Sequence, residues 1–179
     1  MTPISLSEYL STSYRPDVDY VDGEIKERNW GEGPHSRTQT LTIFSLFQRR
    51  VQAGIVVLPE LRVQVSATRV RIPDVCVVLR SAPVEPVVRH PPFLCVEILS
   101  KEDQASEFND RIADYFHMGV RFVWVIDPLQ RRAFVYTPGQ MDEVSDGVLR
   151  THDPEIAVPL EELLEPDELE GEPACRQSR

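Results

Sequence analysis

Two acidic residues stand where acids are least expected. Asp74 follows Pro73 and leads into Val75-Cys76-Val77-Val78-Leu79, and Glu97 lies inside Phe93-Leu94-Cys95-Val96-Glu97-Ile98-Leu99. Both apolar runs read as buried strands. An ionised carboxylate is costly to bury unless something positive neutralises it, and Asp and Glu are rarely buried without a partner. Two solutions are open. A cationic side chain such as Arg62, Arg71 or Arg111 pairs with them in a structural network, or a metal ion binds them. Mg²⁺, a hard cation that takes one or two carboxylates and keeps several waters, suits such a pair, with Mn²⁺ as a substitute.

The elements that must position these residues follow from spacing. Ser5-Leu6-Ser7-Glu8 has capping-box spacing and opens a short helix through Tyr9 and Leu10. Tyr20-Val21, an Asp22-Gly23 turn and Glu24–Glu27 form a hairpin, since Asp-Gly suits a type I′ turn. Between Ser36 and Ala53 the apolar residues Leu41, Phe44, Phe47 and Val51 recur at helical spacing, with Gly54 placed to end the helix. Ile55–Leu58 and Leu61–Val65 are strands. Arg69–Leu79 is another, with Pro73 marking a bulge or an edge.

Pro83, Pro86, Pro91 and Pro92 make residues 81–92 an exposed connector. Phe93–Leu99 follows as a central strand. A helix from about Asp103 to Met118 carries Phe108, Ile112, Tyr115 and Phe116 on one side and stops at Gly119. Phe122–Ile126 is a second apolar strand, so strand, helix and strand imply a parallel, right-handed crossover. Arg132–Thr137 extends the sheet and Gly147–Thr151 adds an edge. The segment from Ile156 to Leu164 packs back, and Asp127-Pro128 is turn chemistry.

Composition sets the frame. The chain of 179 residues is 41% hydrophobic and 27% charged, the balance of one ordinary globular domain. Residues 1–165 form that domain, and 166–179 read as an acidic, disordered tail. The opening residues contain no apolar core of a signal peptide, and no run approaches a membrane span of roughly 20 residues, so the expected compartment is the cytoplasm. Cys76, Cys95 and Cys175 have no metal-site spacing. The two strand cysteines share parity with Asp74 and Glu97, and core packing is favoured over zinc ligation. Net charge is −10, but residues 151–179 hold nine acids against two arginines, whereas residues 1–150 hold 20 acids against 17 bases. The body is near neutral and lacks the basic stripe of a tight nucleic-acid binder.

Pro73-Asp74 followed by a strand glutamate resembles the PD-(D/E)xK nuclease superfamily. Tyr20-Val-Asp-Gly-Glu-Ile, Arg71-Ile-Pro-Asp-Val, Val96-Glu-Ile-Leu-Ser, Tyr115…Gly119-Val120 and Trp124-Val-Ile-Asp-Pro128 appear in the order of one bacterial family of restriction endonucleases, formerly a domain of unknown function. The resemblance spans about Leu6 to Leu164. It implies an α/β, restriction-endonuclease-like fold with a mixed central sheet flanked by helices. It also implies a Mg²⁺-dependent endonuclease acting on DNA, working as a homodimer.

Such hydrolysis needs a positioned water, a Lewis acid and positive charge for the phosphate oxygens. The resemblance makes Asp74 and Glu97 metal ligands, joined by the main-chain carbonyl of Ile98. It also places a lysine two residues after the glutamate, where this sequence has Leu99. Two replacements stand open. Lys101 keeps the strand parity of Glu97, and Arg111 occupies the helical place four before Tyr115 from which relatives supply a lysine. Arginine can hold a phosphate but is a poor proton-transfer group. Glu60 is a further acidic candidate, reaching a metal through water or standing as a surface carboxylate. His35, before the long helix, contacts substrate or accepts a proton, or is a solvated neighbour of the helix cap.

Three functions stay open: the endonuclease, a catalytically silent relative that binds DNA or protein, and a phosphoesterase for a smaller substrate. A silent relative would hold Asp74 or Glu97 locked to an arginine, and a small-substrate enzyme would have a deep closed pocket.

Overall fold

The apolar stretches around Glu97 and Trp124 become the two innermost strands of a six-stranded sheet. The computed structural model describes residues 3–28, 32–101 and 104–164. In chain order the elements are α1 (Leu6–Ser11), β1 (Asp19–Val21), β2 (Glu24–Lys26), α2 (Gly33–Ala53), β3 (Ile55–Pro59), β4 (Val63–Ser66), β5 (Arg69–Arg71), β6 (Val75–Leu79), β7 (Leu94–Ile98), α3 (Ala105–Met118), β8 (Phe122–Asp127), β9 (Arg132–Thr137), β10 (Gln140–Glu143), β11 (Val148–Thr151) and β12 (Ile156–Pro159). The main sheet runs β10-β9-β8-β7-β6-β3, and a smaller one runs β2-β1-β5-β4. Within the main sheet β7 and β8 are parallel while the other pairs are antiparallel, so the sheet is mixed, with α3 as the crossover.

Every residue of β7 and β8 is buried, as a central pair covered on both faces requires. Alternation sorts their side chains. Leu94, Val96, Ile98, Trp124 and Ile126 face Leu46 of α2 and the β11–β12 ribbon. Cys95, Val123 and Val125 face Ile112 and Tyr115 of α3. Glu97 shares parity with Cys95, so its carboxylate is delivered to the α3 side.

Three readings need correction. The expected strand Arg69–Leu79 is two strands in two sheets, broken at Ile72-Pro73-Asp74. Pro73 has no N–H to give a ladder, and the Ile72 N–H is taken by Asp19 Oδ1 at 3.1 Å. This corner sets Asp74 at the junction of the sheets. Gly147–Thr151 does not edge the main sheet, because β11 pairs only with β12 in a separate ribbon. The apolar stripe of α2 faces outward: Phe44, Phe47 and Val51 are 60%, 48% and 67% exposed. Its buried face is Thr38, Thr42, Ser45 and Leu46.

The remaining elements agree in kind. Asp22 and Gly23 both have positive φ, 51° and 94°, as a type I′ turn demands. Asp127 Oδ1 accepts from the N–H groups of Leu129 and Gln130, closing its turn. Ile156, Val158, Leu160, Leu163 and Leu164 pack back into the core. The expected tail, residues 166–179 with Cys175, lies outside the described residues. Among the described residues no helix is long and apolar enough to cross a membrane.

Candidate active site

The antiparallel register that pairs Val75 with Val96 brings Asp74 level with Glu97, and residues level with each other on one face are neighbours. Both carboxylates are buried, and the chain joins them directly: the Ile98 N–H donates to Asp74 Oδ2 at 2.8 Å. Asp74 also meets the first turns of α2. His35 Nε2 lies 3.3 Å from Asp74 Oδ2, and Gln39 Nε2 donates to the Asp74 carbonyl at 3.0 Å. Arg28, just past β2, donates to Asp74 Oδ1 at 2.8 Å.

Glu97 is held from α3. Arg111 donates from Nη1 to Glu97 Oε2 at 2.8 Å, and Tyr115 donates from its hydroxyl to Oε1 at 2.5 Å. The two donors are four residues apart, one turn along a helix face. Arg111 Nε faces Asp19 Oδ2 at 3.8 Å. Asp19 is itself fixed by Ile72 N–H and by Arg71 Nη1 at 3.1 Å.

The two carboxylates titrate apart. Burial pushes Glu97 up, Arg111 pulls it back, and the neighbouring Asp74 charge raises it again; its pKa is about 7. For Asp74, burial also works upward, but the His35 hydrogen bond, the Arg28 charge and the Ile98 N–H outweigh it and hold the carboxyl below the ordinary aspartate value. Two like charges sharing one site divide in this manner. Burial raises Tyr115 far above the ordinary phenol value, so it stays a donor. Burial likewise lifts Cys76 to about 12 and Cys95 well above its usual value. Both pack in the apolar core on the α3 side, and among the described residues no group of three or more His, Cys, Asp and Glu gathers around them to hold a metal.

Not every expected residue joins this cluster. Arg111 and His35 do. Lys101 does not: β7 ends at Ile98, so strand alternation does not carry it, and its 62%-exposed ammonium points to Glu32 Oε2 at 3.3 Å. Leu99 packs against the α3-side core. Glu60 sits in the turn just after β3 instead of opening the next strand, takes a positive φ of 47°, and lies exposed 3.9 Å from Arg28. Its N–H reaches the Asp74 carbonyl at 3.3 Å, so it borders the cluster at the solvent side. Ile98 is buried beside both carboxylates. Of the arginines considered as structural partners, Arg111 takes Glu97, while Arg62 pairs with Asp17 and Arg71 with Asp19 and Asp114.

Sequence reasoning missed Arg28, Asp19 and the Tyr115 hydroxyl as parts of the site. Tyr115 was within reach, since it sits one helical turn from Arg111. Arg28 and Asp19 carry no local signal, because their partners lie 46 residues away at Asp74 and 53 residues away at Ile72.

The donor chemistry fits a hard divalent cation: two carboxylates and the Ile98 main-chain carbonyl are all oxygen donors. Among the described residues no group of three or more His, Cys, Asp and Glu converges, so an ion here would keep several waters, as Mg²⁺ does. The positive charge at the site is now supplied by two guanidiniums. That is the arginine lock set out as the mark of a silent relative.

The comparisons with known proteins bear on this choice. The Uma2 family model, described as "Putative restriction endonuclease", matches residues 6–167. The fold is similar to a crystal structure described as a putative nuclease belonging to DUF820 from Anabaena variabilis. The TM-score is 0.77 at 22% identity, covering 90% of this chain and 97% of that one. No curated protein matches.

Proposed function

The chain belongs to the Uma2 family, and from that premise we propose that it is a metal-dependent endonuclease hydrolysing DNA phosphodiester bonds. The observation that carries the reading is the juxtaposition of Asp74 and Glu97, two buried acids level with each other with the Glu97 pKa raised to about 7. A purely structural network gains nothing from setting two carboxylates side by side, whereas a divalent cation needs them so.

In this reading Asp74 and Glu97 hold the ion, with the Ile98 carbonyl completing the protein's share. A bound Mg²⁺ would supply Lewis acidity and lower the pKa of a coordinated water. Tyr115 and Arg111 fix the Glu97 carboxylate, and the charge of Asp19, itself held by Arg71, lies 3.8 Å from Arg111 Nε. Arg111, always charged, neutralises phosphate but moves no proton. His35, whose Nε2 lies 3.3 Å from Asp74 Oδ2, is the imidazole of the cluster and its candidate proton acceptor. Cutting both strands with one site per chain calls for two copies, the homodimer implied by the resemblance, which light scattering would report.

The test is nicking of supercoiled plasmid in Mg²⁺ or Mn²⁺ by the wild type, Asp74→Ala and Glu97→Ala. The expected outcome is cleavage by the wild type and a loss of about a hundredfold or more in each variant. A second reading, a silent nuclease fold retained for binding, is favoured by the two arginine pairs at 2.8 Å and by Leu99 at the lysine position. Equal background in all three proteins would establish that reading instead.

A further inference from the structure

Arg28 and Arg111 each neutralise one carboxylate at 2.8 Å and are similarly enclosed, and they differ in the second carboxylate beside them. Arg111 grips Glu97 at 2.8 Å and has buried Asp19 3.8 Å away, which is itself tied to Arg71 and to the Pro73 corner through Ile72 N–H. Arg28 has a strong contact to Asp74 at 2.8 Å and a loose one to Glu60 at 3.9 Å. Its side chain is 15% exposed against 57% for that of Glu60. It therefore stands between a buried carboxylate and a solvent-facing one.

Electroneutrality makes that difference matter. Two carboxylates are balanced by two guanidiniums, and a divalent ion added to that set would leave an excess of buried positive charge. One guanidinium has to leave, and the one without a second buried anchor leaves more easily. Position 99 offers only an apolar side chain and Lys101 points away. A displaced Arg28 is then a cation at the site without its carboxylate partner, and its planar fork matches phosphate oxygens.

We infer that Arg28 occupies the cation position at Asp74 in the free protein and passes to a substrate phosphate when a divalent ion binds. The inference rests on the endonuclease reading for its substrate but is tested without cleavage. Mn²⁺ affinity is measured by electron paramagnetic resonance on wild type, Arg28→Gln and Arg28→Lys. The affinity of each for a short DNA duplex is then measured in Ca²⁺. Arg28→Gln should bind Mn²⁺ about tenfold more tightly, because a competing charge is gone, and the duplex about tenfold more weakly. Arg28→Lys keeps the charge and should stay near wild type for Mn²⁺ while losing part of the duplex affinity. Unchanged or weaker Mn²⁺ binding by Arg28→Gln would overturn the inference, as would tighter Mn²⁺ binding with undiminished duplex affinity. Failure of the wild type to nick plasmid would refute the endonuclease reading and leave this comparison standing on its own two readouts.

Discussion

Two groups of buried carboxylates in this molecule are paired with arginines, and they are built on different plans. In one, Asp114 of α3 receives Arg71 through Nε at 2.8 Å and Nη2 at 2.7 Å and Arg69 through Nη1 at 3.0 Å. Arg71 then reaches Asp19. Cations separate the anions at every step, and the chain of pairs stitches α3 to the small sheet. In the other, Asp74 and Glu97 are level with each other across β6 and β7, the Ile98 N–H donates to Asp74, and each acid takes its own arginine. The presence of an arginine partner therefore does not distinguish support from function here. The adjacency of two like charges does; burial, with the Asp74 charge added to it, raises Glu97, while His35 and Arg28 hold Asp74 down.

The largest way to break this contrast is to remove an anion from each group. Asp114→Ala leaves Arg69 with Asp22 alone and Arg71 with Asp19 alone and should cost about 3 kcal/mol in unfolding free energy by denaturant titration, while the folded fraction still binds Mn²⁺ as the wild type does. Loss of Mn²⁺ binding by that variant would merge the two groups into one.

A smaller effect comes from pH. The folded Glu97 pKa of about 7 lies above the ordinary value of 4.5, so the unfolded chain gives up this proton first. Stability should therefore fall as pH rises from about 4.5 to about 7 and then level. The Asp74 carboxyl, held below 3.8, contributes stability above that value and loses it as pH falls further. Glu97→Gln should flatten the slope between 4.5 and 7; an unchanged slope would assign it to another group. Because an ion must displace the Glu97 proton, Mn²⁺ affinity should rise about tenfold per pH unit up to near 7.

The smallest effect concerns the exposed face of α2. Phe44→Gln, on its exposed face, should change stability by less than about 0.5 kcal/mol, whereas Leu46→Ala on the buried face should cost about 2–5 kcal/mol. Equal costs would return the exposed stripe to the core.

What was legible in the sequence was what depends on near neighbours. Glu97 and Asp74 stood out because each interrupts its own apolar run, and β7, α3 and β8 followed from period and from Gly119. The α2 face was misjudged because its buried side is made of Thr38, Thr42 and Ser45, residues whose types look superficial. Ser45 is accommodated by donating to Glu162 Oε2 at 2.7 Å, 117 residues away. Lys101 was misplaced because alternation was extended past the end of β7. The Pro73 corner was noticed as an irregularity, but that it transfers the chain between sheets depends on Asp19, which no local pattern announces.

The central claim is that Asp74 and Glu97 form a cation site and not a second structural pair. Calorimetric titration of Mn²⁺ at pH 8 into wild type, Asp74→Asn and Glu97→Gln tests it most directly. The account predicts one ion per chain in the wild type and no measurable binding in either variant, with all three folded. Binding that survives both substitutions, or its absence from the folded wild type, would contradict it.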